Sequence, residues 1–147
     1  MPVDASPGPM EIWHALNMMN RKLLAHADRA FSKIHLRFIE FRILFILNRT
    51  GPTPMVRIAK ELGVTKAAVT SIIDDIEAKG LVRRDRDTKD RRLLNVEITP
   101  AGRKLLTQAE KTHFEVIAGL LATLTQEERR SLMRSYEKIG KALENLA

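Results

Sequence analysis

Half of the fourteen residues from 79 to 92 are basic: Lys79, Arg83, Arg84, Arg86, Lys89, Arg91 and Arg92. Three aspartates share the window (Asp85, Asp87 and Asp90), so this short segment carries a net +4 of the chain's formal +7. Cations at this density bind anionic oxygens. Arginines at a loop tip suit the minor groove of a duplex, where narrow A·T-rich stretches concentrate negative potential. Asp87 or Asp90 is expected to orient a neighbouring arginine through a bidentate pair and so stiffen the loop. Taken alone, the basic excess leaves nucleic acid, a membrane surface and acidic protein all open as partners.

Other chemistries find little support. His14, His26, His35 and His113 are scattered, with no HExxH pattern and no pair at metal-ligand spacing beside a carboxylate. Asp74 and Asp75 are adjacent on an expected helix and point about 100° apart, a poor acid–base pair. No GxSxG, phosphate-binding or dinucleotide fingerprint occurs. The chain has no cysteine, which excludes a disulfide, a thiolate metal site and a thiol redox sensor. The expectation is a non-enzyme without a cofactor.

A basic loop needs elements to hold it. Ahead of it, Thr65 is placed to cap a helix on which Val69, Ile72, Ile73 and Ile76 share the inner side. The outer side near the N-terminus then carries Lys66, Ala67, Thr70 and Ser71, small or flexible groups that allow close approach to base edges. The helix N-terminus adds free N–H groups and the positive end of its dipole. Farther along, Asp74, Asp75 and Glu77 turn the outer side acidic, so only the first two turns are expected to approach phosphate. A shorter helix precedes it, with Ile58, Ala59 and Leu62 buried and Gly63 as a left-handed stop. Thr53 is expected at its N-cap and Pro54 in its first turn. Two helices joined this way let one brace another that enters the major groove end-first. After the basic loop, Leu94, Val96 and Ile98 alternate with polar residues as in a half-buried strand, which is expected to pair with residues 81–84 in a hairpin.

Longer helices flank this unit. Ile12, Leu16, Met19, Leu23, Ala27, Ala30 and Ile34 recur at steps of three and four from residue 10 to 34. Leu132, Tyr136, Ile139, Leu143 and Leu146 repeat the pattern after a Thr125/Glu128 capping box. Between them Thr99 and Pro100 open a helix expected to reach about residue 123. The narrow stripes suit packing against each other and against a second copy. The expected fold is mainly α with a small β-hairpin wing. Residues 1–9 form an irregular arm, 10–34 and 100–147 the dimerisation helices, and 35–99 the winged helix-turn-helix lobe.

At 147 residues the chain is long enough for one domain with its own core. The N-terminus has no secretion-signal pattern, and the most apolar run is far short of the ~18 residues of a membrane span. A soluble, cytoplasmic protein with no membrane partner is expected.

The runs Ile58-Ala59-Lys60-Glu61-Leu62-Gly63-Val64-Thr65, Ala68-Val69-Thr70-Ser71-Ile72-Ile73-Asp74-Asp75-Ile76-Glu77-Ala78-Lys79-Gly80-Leu81-Val82-Arg83-Arg84, Asp87-Thr88-Lys89-Asp90-Arg91-Arg92 and Ile98-Thr99-Pro100-Ala101-Gly102 resemble the MarR family of winged helix-turn-helix regulators. The most specific elements are Asp90 and Arg92, followed by a strand and the Thr99-to-Gly102 turn. The resemblance implies a homodimer whose terminal helices interlock. Two lobes would then reach a pseudo-palindromic operator in double-stranded DNA, their recognition helices about one turn (~34 Å) apart. It implies that Lys66, Ala67, Thr70 and Ser71 face bases and Thr65 lies near phosphate. It also implies that Arg92 reaches the minor groove, with Arg86 and Arg91 near the backbone. Repression is the family default.

Many relatives are released from DNA by a small aromatic or phenolic ligand. Phe38 and His113 match positions that line the crevice for it, and Arg21 lies off the stripe of the first helix, where it could face that crevice. Two further readings stay open at this point: a metal-responsive regulator built on histidines and carboxylates, and a winged helix that binds protein.

Overall fold

The computed structural model describes residues 6–86 and 94–145. Helix α1, Pro9–Ser32, ends in a tight corner at which His35 takes a positive φ of 54°. Helix α2, Phe38–Thr50, follows. Its leading N–H groups find carboxylates: Phe38 N–H donates to Asp28 Oδ1 at 2.8 Å, and Arg37 N–H to Glu40 Oε2 at 2.7 Å. Such partners satisfy donors that a helix start leaves orphaned. Phe31 of α1 packs its ring 6.0 Å from Phe38 and 5.0 Å from Phe41, anchoring the corner in the core.

Strand β1, Thr53–Pro54, leads into helix α3, Met55–Leu62, and helix α4, Lys66–Ala78. Gly63, with φ 70°, terminates α3 in the left-handed conformation that glycine adopts without steric cost. Strands β2, Val82–Arg86, and β3, Leu94–Ile98, complete a three-stranded antiparallel sheet in the order β1-β3-β2. The register pairs Val82 with Ile98 and Arg86 with Leu94, while Thr53 faces Val96. The fold class is as expected, mainly helical with a β-hairpin wing.

Thr53 is a correction to the expected helix cap. Its backbone pairs with β3, and its hydroxyl donates to Gly51 O at 2.8 Å beside Thr50 Oγ1 at 2.7 Å. With the hydroxyl turned back into the preceding turn, Pro54 is the residue at the N-cap of α3.

Helix α5, Pro100–Leu121, starts against the sheet. Thr99 Oγ1 accepts from Gly102 N–H at 3.1 Å and donates to Gly80 O at 2.7 Å. A Cβ on Gly102 would sit 2.8 Å from Ile98 Cγ1 and closer still to Leu81 O, so only glycine lets this turn meet β2 and β3. The core is filled by Phe31, Leu36, Ile43, Leu44, Leu47, Ile58, Val69, Ile73, Ile76, Val96 and Leu106, all essentially buried.

Contacts divide the chain into a unit ending at Thr112 and a second beginning at His113. The second holds the end of α5 and helix α6, Gln126–Glu144. Thr125 N–H donates to Glu128 Oε2 at 2.7 Å, and Glu128 N–H returns to Thr125 Oγ1 at 3.2 Å, the expected capping box. No residue of α6 is buried.

Candidate nucleic-acid interface

Helix α4 presents its first two turns outward. Thr65 Oγ1 accepts Ala68 N–H at 3.2 Å and so fixes the helix start. Val69, Ile73 and Ile76 are fully buried beneath, which leaves Thr65, Lys66, Ala67 and Ser71 exposed on the other side. Thr70 is half-buried, and its hydroxyl donates back to Lys66 O at 2.9 Å. That bond occupies its hydrogen, so towards a partner this side chain offers lone pairs and a methyl group.

The acidic part of α4 is matched by cations from two sides. Arg84 Nη1 donates to Glu77 Oε2 at 2.9 Å, and Nη2 binds Asp74 Oδ1. Arg37 Nη2 donates to Asp75 Oδ2 at 2.8 Å. The carboxylates that would repel phosphate thus have counter-charges within the lobe.

On the wing, Arg83 binds Glu97 across the strands, with Nε at 2.9 Å and Nη2 at 2.6 Å from Oε2. That carboxylate raises the Arg83 pKa further. Arg86 is exposed, and its N–H donates to Asp85 Oδ1 at 2.8 Å. Arg84, counted among the wing cations expected at DNA, is largely covered and paired with Glu77 and Asp74. β2 turns its side chain toward α4, the same side as buried Val82 two residues earlier, because strand residues alternate faces. Lys89, Asp90, Arg91 and Arg92, together with Asp87, lie outside the described residues.

A second ionic cluster went unread in the sequence. The Glu40 carboxylate is fully buried and receives Lys79 Nζ at 2.9 and 3.0 Å, as well as the Arg37 N–H. Lys79 also donates to His35 O at 3.2 Å. Burial pushes the Glu40 pKa up, but the Arg37 N–H and the Lys79 ammonium outweigh it and hold the group below its ordinary value. One side chain therefore ties the end of α4 to the α1–α2 corner. The available signal was a lone glutamate spaced with Ile43, Leu44 and Leu47 on the core side of an otherwise apolar helix.

Of the residues matched to a ligand crevice, Arg21 is exposed on α1 and Phe38 is half-buried in the ring cluster. An open hollow of about 270 Å³ beside α2 is lined by Phe41, Arg42, Phe45, Ile46, Arg49 and Glu61, not by Arg21 or Phe38. His113 belongs to the second unit, where partial burial lowers its pKa. Among the described residues no three histidines or carboxylates gather as a metal site, and no helix is long and apolar enough to cross a membrane.

Residues 39–94 match a family model described as MarR family. The chain is 30% identical over 132 residues to the HTH-type transcriptional repressor YetL of Bacillus subtilis, covering 86% of this chain and 76% of that protein. Its fold superposes on the transcriptional regulator BldR from Sulfolobus solfataricus with a TM-score of 0.80 and 31% identity, covering 90% and 94% of the two chains. A mutant MarR from E. coli, solved with operator DNA, superposes with a TM-score of 0.79 at 22% identity over 87% and 92%.

Proposed function

The chain belongs to the MarR family of transcriptional regulators, and from that premise we propose that it is a sequence-specific, double-stranded-DNA-binding repressor acting as a homodimer. The observation that carries the reading is the N-terminal face of α4. Thr65, Lys66, Ala67 and Ser71 stand exposed at a capped helix start, on an element fixed by buried Val69, Ile73 and Ile76. A helix end of that kind offers small donors, a cation and free N–H groups to the major groove.

Arg86, together with Lys89, Asp90, Arg91 and Arg92, forms the minor-groove side of the proposal. Dimerisation is supported by apolar residues left open at both chain ends. On α1, Trp13 is 62% exposed, and Ile12, Leu16 and Met19 are also open. On α6, Tyr136 is 74% and Leu143 61% exposed, and Leu132 and Ile139 are also open. Large apolar residues exposed in rows along a helix are the kind of surface that association covers. Repression accords with the name of YetL and with a dimer that obstructs a promoter by occupying it. Release by a small aromatic or phenolic ligand, with Arg21, Phe38 and His113 as contacts, rests on the family resemblance, as does cytoplasmic location on the regulator function.

Salt-titrated binding to the protein's own upstream region, against scrambled competitor duplex, tests the reading. A complex that survives competitor and weakens steeply with salt is expected. Equal competition by scrambled duplex at every salt concentration would refute sequence-specific binding at that region.

A further inference from the structure

Two contacts on one duplex fit only if the wing and α4 keep a set pitch, and beyond the pairing of β1 with Val96 and Asn95 the hairpin is a two-stranded ribbon, the form of sheet that twists most. The hairpin ladder alone therefore leaves the pitch free. Arg84 supplies what the ladder lacks. Its N–H donates to Glu77 Oε1 at 3.0 Å, and its guanidinium reaches Glu77 Oε2 at 2.9 Å, Asp74 Oδ1, and Thr70 O at 3.5 Å. Thr70, Asp74 and Glu77 lie on successive turns, so one planar fork runs along a single side of α4. The Arg84 side chain is only 21% exposed and already faces two carboxylates, which leaves little of its charge for phosphate.

We propose that Arg84 is a positioning residue that locks the wing to the recognition helix, setting the spacing at which both contacts engage DNA without itself touching it. This rests on the DNA-binding reading above. A lysine could not replace it, since a point charge cannot hold acceptors on three turns at once.

The test uses a duplex that the wild-type protein enriches from a randomised library. Affinity across a salt series is measured for wild type, Glu77→Gln, Arg84→Lys and Arg84→Met, each confirmed folded by its thermal melt. Removing a carboxylate beside DNA should tighten binding if charge alone acts. Positioning predicts the reverse for Glu77→Gln, a loss of about tenfold or more, because linked contacts multiply affinity by roughly 10²–10⁴ when both engage.

The same loss is expected for both Arg84 variants, with the wild-type salt slope retained. Repeating the library selection with Glu77→Gln separates positioning from simple destabilisation. The positions read by α4 should persist while those under the wing lose preference. A merely less stable protein would weaken all sequences alike. Tighter or unchanged binding by Glu77→Gln, wild-type behaviour of Arg84→Lys, or a slope reduced by about 0.9 (one lost phosphate contact) in Arg84→Met would overturn the inference. If the wild-type protein enriches no sequence, the DNA-binding reading falls and takes this inference with it. If it does enrich one, any failure above falls on Arg84 alone.

Discussion

Asp74 and Asp75 are neighbours on α4 whose carboxylates are claimed by different elements: Asp74 by Arg84 of β2, and Asp75 by Arg37 at the α1–α2 corner, at 2.8 Å. Exposed ion pairs of this kind each contribute only ~0–1 kcal/mol. Their consequence is geometric, since α4 is held from β2 on one side and from the α1–α2 corner on the other.

Lys79→Met should destabilise the lobe by roughly 2–3 kcal/mol, below the ~3–5 kcal/mol of a fully buried broken pair because Lys79 is 40% exposed. The Glu40 pKa is depressed in the folded state. Its contribution to stability is therefore complete above the unfolded value near 4.5 and is lost as pH falls through the folded one. Without the ammonium, one of the groups that oppose burial is lost and the pKa rises, so acid unfolding should begin at higher pH in the variant. Thermal melts from pH 7 down to pH 3 check both; an unchanged acid limb would mean that Lys79 does not govern the Glu40 charge.

Gly102→Ala should cost about 1–3 kcal/mol or more, as overpacking does, because the new methyl would press on Leu81 O and Ile98. Urea denaturation measures it. Gly119→Ala on the same helix has nothing within 4 Å of its added Cβ and serves as the control, expected to be neutral or mildly stabilising.

The sequence disclosed what is local. Caps at Thr65, Thr99 and Thr125 announced α4, α5 and α6, and the alternation of Leu94, Val96 and Ile98 announced β3. What it hid depends on residues far apart in the chain. β1 exists because Thr53 pairs with Val96, and Glu40 is tolerable in the core because Lys79 reaches it. Thr53 carries the same cap-like signature whether it caps or pairs, and only the position of β3 decides. Arg84 was legible as a cation but not as a brace, since charge does not reveal which face of a strand turns inward. The exposed start of α4 was read correctly as surface because buried Val69, Ile73 and Ile76 fix its rotation.

Ser71→Ala should shift preference among operator sequences by at most about 1–3 kcal/mol per base, with little change in salt dependence. Lys66→Ala removes a cation set at the base edges, so it should both alter the sequence profile and weaken binding overall. Competition with single-base operator variants at two salt concentrations distinguishes them. Identical sequence profiles for Ser71→Ala and wild type would remove Ser71 from base contact.

Ile139→Glu, at a position 51% exposed on α6, should convert the proposed dimer to monomer while the lobe keeps its melting behaviour. Light scattering on the eluting protein reads the mass directly. A wild-type protein that is already monomeric at micromolar concentration would end the dimer proposal.

The small sheet carries protection at both edges. β1 is two residues long and ends in Pro54, which has no N–H to offer a newcomer, while β2 lines the opposite edge with Arg83, Arg84, Asp85 and Arg86. Neither edge can readily template a strand from another molecule. Copies of the lobe can therefore reach high local concentration without zipping into fibres through this sheet, and β2 can carry three arginines at an edge without that edge becoming an aggregation hazard.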